Sequence, residues 1–279
     1  MIVDSHVHIF PPDFIRDRES LLSLDQTFSE LYCDPRSKMA TADELIGVMD
    51  KNGIDVSVVM GIGWTNSILA EKSNQYIAES CDRFHGRLIG FGSIDISSEN
   101  VLGQVRYLAK RGLKGIGELH LDHQLFNQGG YELIAPIIQE IRSNDLALAI
   151  HCSEPVGHLY AGKGTNTPDK LETLLNLSQG VNVILSHWGG GMPFYGLMPE
   201  VQKLLESVFF DTAASPFLYD HTIFQIVTSI VGANHILAAS DYPLLNFSRI
   251  IGEIEQSSIS KQNKKLILGG NAKKLFNLT

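Results

Sequence analysis

The sequence predicts an α/β fold, a closed (β/α)8 TIM barrel, on two observations. Eight short apolar runs alternate with stretches of helical pattern along the 279 residues, and eight strand–helix units are the number that closes such a barrel. The runs are apolar almost throughout, which is typical of a parallel sheet covered by helices on both faces. An open, doubly wound sheet is the alternative, but no Gly-x-Gly-x-x-Gly follows the first strand.

The predicted elements alternate regularly after the first strand. Strands are predicted over residues 1–8, 54–63, 88–95, 113–121, 146–154, 181–188, 208–214 and 235–241. Helices are predicted over residues 41–51, 67–84, 100–110, 131–143, from 167 onwards, 199–207 and 220–230, and two helical segments close the chain. The first helix has the clearest signals, because Thr41 and Glu44 form a capping box and Gly53 follows the last turn.

Residues 10–40 form a long insertion between the first strand and the first helix. This stretch carries Pro, Asp and Ser with poor periodicity, and long insertions in compact domains are usually functional or mobile. No linker and no low-complexity tract interrupts the chain. We therefore expect residues 1–279 to form one domain.

Composition and charge narrow the function classes. A net charge of −9 disfavours broad binding to nucleic acid or to an anionic membrane, and no apolar run reaches the roughly 18 residues of a membrane span. The three cysteines suggest no paired framework, and the first residues do not have the pattern of a signal peptide. We therefore expect a cytoplasmic protein that acts on a small molecule, as a monomer or a homo-oligomer.

Side chains that can bind metal collect where the predicted strands end. His6 and His8 are separated by one residue, so both point to the same side of the first strand. In such barrels the active site lies at the C-terminal ends of the strands. The later strands bring further imidazoles and carboxylates to that end, namely Glu118, His120, His151, His187, Asp211 and Asp241. Hydrogen bonding within the loops would explain His120, His123 and Asp211 equally well.

This pattern resembles the amidohydrolase superfamily of metal-dependent barrels. The match consists of five features on the strands where that superfamily carries its ligands, namely His6-x-His8, Glu118, His151, His187 and Asp241. It is most similar to the branch that contains uncharacterised metal-dependent hydrolases and aminocarboxymuconate-semialdehyde-type decarboxylases. Residues 268–276 (LGGNAKKLF) resemble the terminal segment of the superfamily, and residues 116–122 (IGELHLD) resemble a strand of TatD-type deoxyribonucleases. The resemblance spans nearly the whole chain.

The resemblance implies a divalent metal, which we expect to be zinc. The implied ligands are His6, His8, Glu118, His151, His187 and Asp241. Many binuclear members bridge two ions with a carbamylated lysine on the fourth strand, where this chain has Glu118. Lys114 lies four residues earlier, too deep in the strand to bridge. The sequence therefore leaves one ion or two open.

The expected chemistry is hydrolysis of an amide, lactone or ester bond in a small molecule. A bound divalent metal lowers the pKa of water to about 7 and polarises a carbonyl. Asp241 is the expected general base, and His187 is the second catalytic candidate. A metal-dependent decarboxylase using the same ligands, a TatD-like nuclease, and a barrel that only binds a ligand are the alternatives.

Two loops are expected to contact the substrate. Tyr160 and Lys163 lie in a long loop after the fifth strand and could bind a substrate carboxylate or phosphate. Gly190 lies in a run of three glycines after the sixth strand, where backbone N–H groups could approach an anion. A solvated or plainly flexible loop would explain either segment.

Overall fold

The structure, a computed structural model, describes residues 1–126 and 130–279 and confirms the barrel. Eight parallel strands pair in chain order. They are β1 (Val3–His8), β2 (Val56–Met60), β3 (Leu88–Gly92), β4 (Gly115–Leu119), β5 (Ala147–Ile150), β6 (Val183–Leu185), β7 (Val208–Asp211) and β8 (Ile236–Leu237). The last strand meets the first, because the Ser5 N–H donates to the Ala238 carbonyl at 2.9 Å and Val7 bridges to Tyr242.

Helices surround the strands in the order that a barrel requires. They are α1 (Pro12–Arg16), α2 (Arg18–Leu21), α3 (Gln26–Tyr32), α4 (Ala42–Asn52), α5 (Ser67–Arg83), α6 (Val101–Lys110), α7 (Tyr131–Ser143), α8 (Pro168–Leu177), the single turn α9 (Ser186–Gly189), α10 (Pro199–Leu204), α11 (Ser215–Leu218), α12 (Ile223–Val231), α13 (Phe247–Gln256), α14 (Lys261–Lys265) and α15 (Asn271–Leu275). A π-helical turn follows β4 at Asp122–Phe126. The capping box of Thr41 and Glu44 is present at the start of α4, and Gly53 ends that helix with φ 67°.

The strands end earlier than the apolar runs predict. Strand β6 stops at Leu185, and the next residues turn, with φ 57° at both His187 and Trp188. Asp241, four residues beyond β8, has φ 63°. Left-handed backbone is uncommon for residues that carry a Cβ atom, so the pairing ends where the chain turns sharply. The runs continue past the strands because these turns are themselves buried.

The apolar core forms two layers, one between the strands and the helices and one inside the barrel. The inner layer includes Val58, Met60, Phe91 and Ile184. Phe276, after α15, packs edge-to-face on Phe91 with ring centroids 5.8 Å apart. The interior is thus filled by side chains and is not an open channel.

One side-chain amide connects the C-terminal segment to the start of β8. The Asn271 side chain donates to the carbonyls of Ala233 and Ile236, both at 2.7 Å. Gly269 lies against the start of β1, because a Cβ atom there would come within 2.5 Å of the Met1 carbonyl oxygen. The sequence motif at 268–276 therefore packs the chain end onto the barrel.

The insertion at 10–40 contains α1, α2 and α3 and covers one side of the barrel mouth. Its aromatic residues form a separate cluster in which Phe28 stacks on Trp64, with ring centroids 5.6 Å apart. The buried Asp25 carboxylate joins the insertion to the β2–α5 loop, because it accepts hydrogen bonds from the backbone N–H groups of Phe28, Thr65 and Asn66 at 2.7–3.0 Å.

Within residues 1–126 and 130–279, no helix is both long enough and apolar enough to cross a membrane.

Replacing Asp25 should destabilise the protein through lost hydrogen bonds. Asp25→Ala leaves three backbone N–H groups without their acceptor, and we expect a loss of at least about 3 kcal/mol in the free energy of unfolding, since each unsatisfied buried group costs about 1–3 kcal/mol. Chemical denaturation measures this loss. The control Asp34→Ala removes an exposed pair with Arg36 and should cost less than about 1 kcal/mol; equal losses would contradict the role of Asp25.

Candidate metal centre

A cavity of about 430 Å³ opens at the C-terminal ends of the strands. Its floor carries imidazoles and carboxylates, and its walls are mostly apolar. The floor residues are His8, Glu118, His120, His151, His187 and Asp241. The wall residues include Leu31, Tyr32, Ile62, Ala214, Phe217, Leu218 and Leu244. This volume lies in the range of about 300–1,000 Å³ that ligand pockets have.

The Glu118 carboxylate lies at the centre of the floor and is 2% exposed. Its Oε1 atom lies 3.1 Å from His151 Nδ1 and 3.5 Å from His187 Nε2. Its Oε2 atom lies 3.2 Å from His120 Nε2, and the Nε2 atoms of both β1 histidines lie 3.6 Å from the same oxygen. Five imidazoles thus surround one buried carboxylate.

Asp241 closes the other side of this group. Its Oδ1 atom lies 3.3 Å from His8 Nε2 and 3.9 Å from His6 Nε2. The two Nε2 atoms are 3.0 Å apart. The backbone holds these positions, because the Asp241 N–H donates to the His6 carbonyl at 3.0 Å.

The electrostatics of the floor follow from burial and close opposite charges. Burial raises the pKa of the Glu118 carboxyl, but the imidazoles, that of His6 foremost, outweigh burial and hold the pKa well below its usual range. Burial also opposes ionisation of Asp241, whose pKa the hydrogen bond from His8 nevertheless lowers to about 2. Two ionised carboxylates therefore lie at the floor, where each can interact with a bound cation.

The same carboxylates act on the imidazoles. Burial lowers the pKa of a histidine, yet Glu118 and Asp211 outweigh it and raise the pKa of His6 to about 10. The hydrogen bond and charge of Glu118 likewise raise the pKa of His187 to about 9. His120 differs, because burial and the neighbouring His151 lower its pKa to about 4.

A second set of contacts orients the imidazoles. His6 Nδ1 lies 2.8 Å from Asp211 Oδ2, which turns His6 Nε2 towards the floor. His187 Nδ1 lies 3.1 Å from the Ala213 carbonyl, so its Nε2 also faces the cavity. Asp211 holds the His187 backbone as well, accepting its N–H at 2.9 Å. Such partners fix the tautomer and ring orientation of metal-binding histidines.

The donor set fits a divalent metal ion. Potential ligand atoms of His6, His8 and Asp241 lie within 4.8 Å of one another, and those of Glu118, His120 and His151 form a second such group. Imidazole nitrogens and carboxylate oxygens are the ligands that divalent transition metals take in proteins. In addition, among the described residues the buried His8 Nδ1 has no hydrogen-bond partner. The polar contacts of the His8 ring are therefore made by Nε2, with His6 and Asp241.

The structure brings together all six side chains that the resemblance implied as ligands. Of the three substrate-contact candidates, Tyr160 lines the cavity, and its hydroxyl donates to Glu154 Oε2 at 3.1 Å. Lys163 is turned into its own loop, where its ammonium donates to the Val156 and His158 carbonyls. Gly190 packs on the Ser153 backbone, because a Cβ atom at residue 190 would lie 2.3 Å from the Ser153 carbonyl oxygen. Neither Lys163 nor Gly190 is brought to the cavity.

From the sequence, His120 and Asp211 were strand-end candidates left open between a functional role and loop hydrogen bonding, and no single residue of the insertion was named. His120 lies two residues after Glu118, so an extended strand places both side chains on one face, as it does for His6 and His8. This spacing was a signal available in the sequence. Asp211 ends β7 and contacts the floor through His6 Nδ1. Tyr32 and Lys38 also line the cavity, but they come from the insertion, whose course has no sequence signal.

A parallel (β/α)8 barrel with five imidazoles and two carboxylates converging at its C-terminal mouth is the architecture of a metal-dependent barrel enzyme. The chain belongs to the amidohydrolase family, since the model of that family, described as amidohydrolase, matches residues 3–278. The predicted membership is therefore confirmed, and the chain is an enzyme of this superfamily.

The relatives found are similar along nearly the whole chain. The gamma-resorcylate decarboxylase of Polaromonas sp. strain JS666 is 21% identical over 286 residues, which cover 85% of this chain and 87% of that protein. A structure of 5-carboxyvanillate decarboxylase from Novosphingobium aromaticivorans, with manganese and 4-hydroxy-3-methoxy-5-nitrobenzoic acid, has a TM-score of 0.79 at 18% identity and covers 100% of this chain and 96% of its own. A dihydroxybenzoic acid decarboxylase from Polaromonas sp. JS666, with manganese and 2-nitroresorcinol, has a TM-score of 0.73 at 18% identity, with 99% and 97% covered.

These comparisons correct the predicted reaction. The sequence analysis favoured hydrolysis, whereas the curated relative and the structural neighbours are decarboxylases. The hydrolase prediction is therefore wrong, and its decarboxylase alternative has the support. The reason is that both reactions use the same ligand residues, which were all that the sequence displayed. A divalent metal is supported, but zinc stays a prediction because the neighbours hold manganese.

Replacing Asp211 should weaken metal binding without removing a ligand. Asp211→Asn keeps the side-chain shape but loses the charged acceptor for His6 Nδ1, and we expect the affinity for a divalent ion to fall about 10- to 100-fold. Competition with a chromophoric chelator measures this affinity. The control Asp220→Asn alters an exposed carboxylate after β7 and should leave it unchanged; unchanged affinity in Asp211→Asn would refute the orienting role.

Proposed function

We propose that this chain is a metal-dependent decarboxylase of a small, hydroxylated aromatic carboxylic acid. One observation carries the proposal: the cage of imidazoles and carboxylates lies at the floor of a cavity with largely apolar walls. The floor suits a polar, reacting carboxyl group, and the walls suit an aromatic ring. The benzoate decarboxylases that match along nearly the whole chain add support.

Decarboxylation requires two things of the site. The bond between the ring carbon and the carboxylate carbon breaks, carbon dioxide leaves, and the electron pair stays on the ring carbon until it takes up one proton. A divalent ion held by His6, His8 and Asp241, whose potential ligand atoms lie within 4.8 Å of one another, would supply the positive charge that binds the oxygens of the acid and draws electron density from the ring. The chain itself must supply the proton.

We assign the proton transfer to His187. Its Nδ1 is committed to the Ala213 carbonyl, so Nε2 is the atom that faces the cavity. His187 lies outside both groups of potential ligands, although the sequence resemblance implied it as a ligand as well as a catalytic residue. A positioned imidazole that is not held by a metal is free to donate a proton.

The proposed activity should be visible as carbon dioxide release. We expect the purified protein to release carbon dioxide from a hydroxybenzoate, tested with 2,6-dihydroxybenzoate and 5-carboxyvanillate beside a panel of lactones and amides. Removing the metal with a chelator should abolish the release, because the carboxylate of the acid then has no cation on the floor. Refilling separate samples with manganese or zinc and comparing turnover identifies the ion that works.

Two outcomes would overturn the proposal. One is turnover of a lactone or amide with no carbon dioxide from any acid in the panel. The other is full carbon dioxide release by protein shown to be free of metal by elemental analysis.

His187→Asn should separate proton transfer from metal binding. We expect kcat to fall about 10²- to 10⁴-fold, the usual contribution of a general acid, while the metal content per chain is unchanged. Rate measurements and elemental analysis of the same sample test this. His221→Asn, at an exposed histidine, is the control. Loss of metal from His187→Asn would show instead that His187 is a ligand.

A further inference from the structure

The cavity contains a cation that the proposed reaction does not use. We propose that Lys38 binds a second anionic group on the substrate, so that the chain selects aromatic acids carrying a second carboxylate. This inference rests on the proposed function, because it assumes that the reacting carboxylate lies on the metal-binding floor.

Lys38 is available for an incoming anion. It lines the cavity, and in the described parts of the chain its ammonium has no ion pair and no hydrogen bond. The lining residues that the structure describes include no other lysine or arginine. Nearby cations are committed elsewhere: Arg36 pairs with Asp34, and Lys163 donates to carbonyls of its own loop.

Arg18 fixes the segment that carries Lys38. The Arg18 guanidinium donates to the Tyr32 carbonyl from Nε at 2.8 Å and from Nη2 at 2.6 Å. It also donates from Nη1 to the Ser37 carbonyl at 2.9 Å. One rigid, planar group thereby holds both ends of residues 32–37. The hydrogen bonds of Arg18 therefore fix the backbone next to Lys38. They place the lysine at the cavity, although its own ammonium makes no ion pair or hydrogen bond with a described residue.

The position of Lys38 defines which part of the substrate it meets. The floor residues Glu118 and His187 are buried, whereas Lys38 is exposed, so the lysine stands at the open end of the cavity. An acid bound by its reacting carboxylate at the floor directs its remaining substituents towards that end. Between floor and mouth the walls are largely apolar, where an unpaired carboxylate is costly and a paired one is not.

The test compares two inert ligands that differ in a carboxylate. In both ligands a nitro group beside a phenolic hydroxyl stands in for the reacting carboxylate at the floor. 4-Hydroxy-3-methoxy-5-nitrobenzoic acid carries one carboxylate in addition, and 2-nitroresorcinol carries none. We expect Lys38→Met to weaken the binding of the nitrobenzoic acid about tenfold, the size of one charge-assisted hydrogen bond, and to leave 2-nitroresorcinol within about twofold. Isothermal titration calorimetry of the metal-loaded protein measures both. Lys38→Arg should restore most of the affinity, and Lys110→Met, at an exposed lysine of α6, should change neither ligand.

The outcomes separate this inference from the proposed function. Equal weakening of both ligands in Lys38→Met, no weakening of either, or failure of the nitrobenzoic acid to bind the unmodified protein would overturn the role of Lys38. Carbon dioxide release with no Lys38-dependent preference for 5-carboxyvanillate over 2,6-dihydroxybenzoate would also overturn it while the proposed function stands. Lys38-dependent binding without carbon dioxide release from any acid would leave the anion site in place and refute the decarboxylase.

Discussion

A buried carboxylate surrounded by imidazoles is the interaction on which the site depends. Glu118 is almost fully removed from water, and an ionised carboxylate in that position is tolerated only when opposite charge and hydrogen bonds compensate its lost hydration. The five histidines around it provide both. Each imidazole is in turn constrained by Glu118, so the potential ligand atoms are held close together. The arrangement resists rearrangement because any unpaired member would be a buried, unsatisfied polar group.

The barrel makes this convergence possible at a local cost in backbone conformation. Side chains from β1, β4, β5 and the segments after β6 and β8 reach one point only because parallel strands end at a common rim. Left-handed backbone at His187, Trp188, Ala214 and Asp241 aims the chain at that rim. Uncommon conformations of this kind cluster at functional sites, where the surrounding structure holds them in place. Here the hydrogen bonds of Asp211 to the backbone of His187 and Ala213 do so.

The insertion forms one wall of the cavity above the floor residues. Its aromatic cluster and the Asp25 carboxylate attach it to the β2–α5 loop, and Arg18 shapes its last segment. The barrel therefore positions the floor residues, while the insertion and the loop after β5 supply part of the cavity walls. This division explains how one ligand set can serve different reactions in a family whose members share the fold.

The sequence by itself determined the barrel, the order of its strands and the histidines and carboxylates at its rim. These follow from local signals, apolar runs and the residue types that end them, and the parity of His6 and His8 needs no tertiary information. Only the tertiary structure decided that His120 joins Glu118, that Asp211 orients His6, and that Lys163 turns away from the cavity while Lys38 lines it. Those outcomes depend on contacts between segments distant in sequence, such as Arg18 with the carbonyls of residues 32–37. The reaction was mispredicted because hydrolysis and decarboxylation can use the same ligand residues, so those residues alone do not distinguish the two.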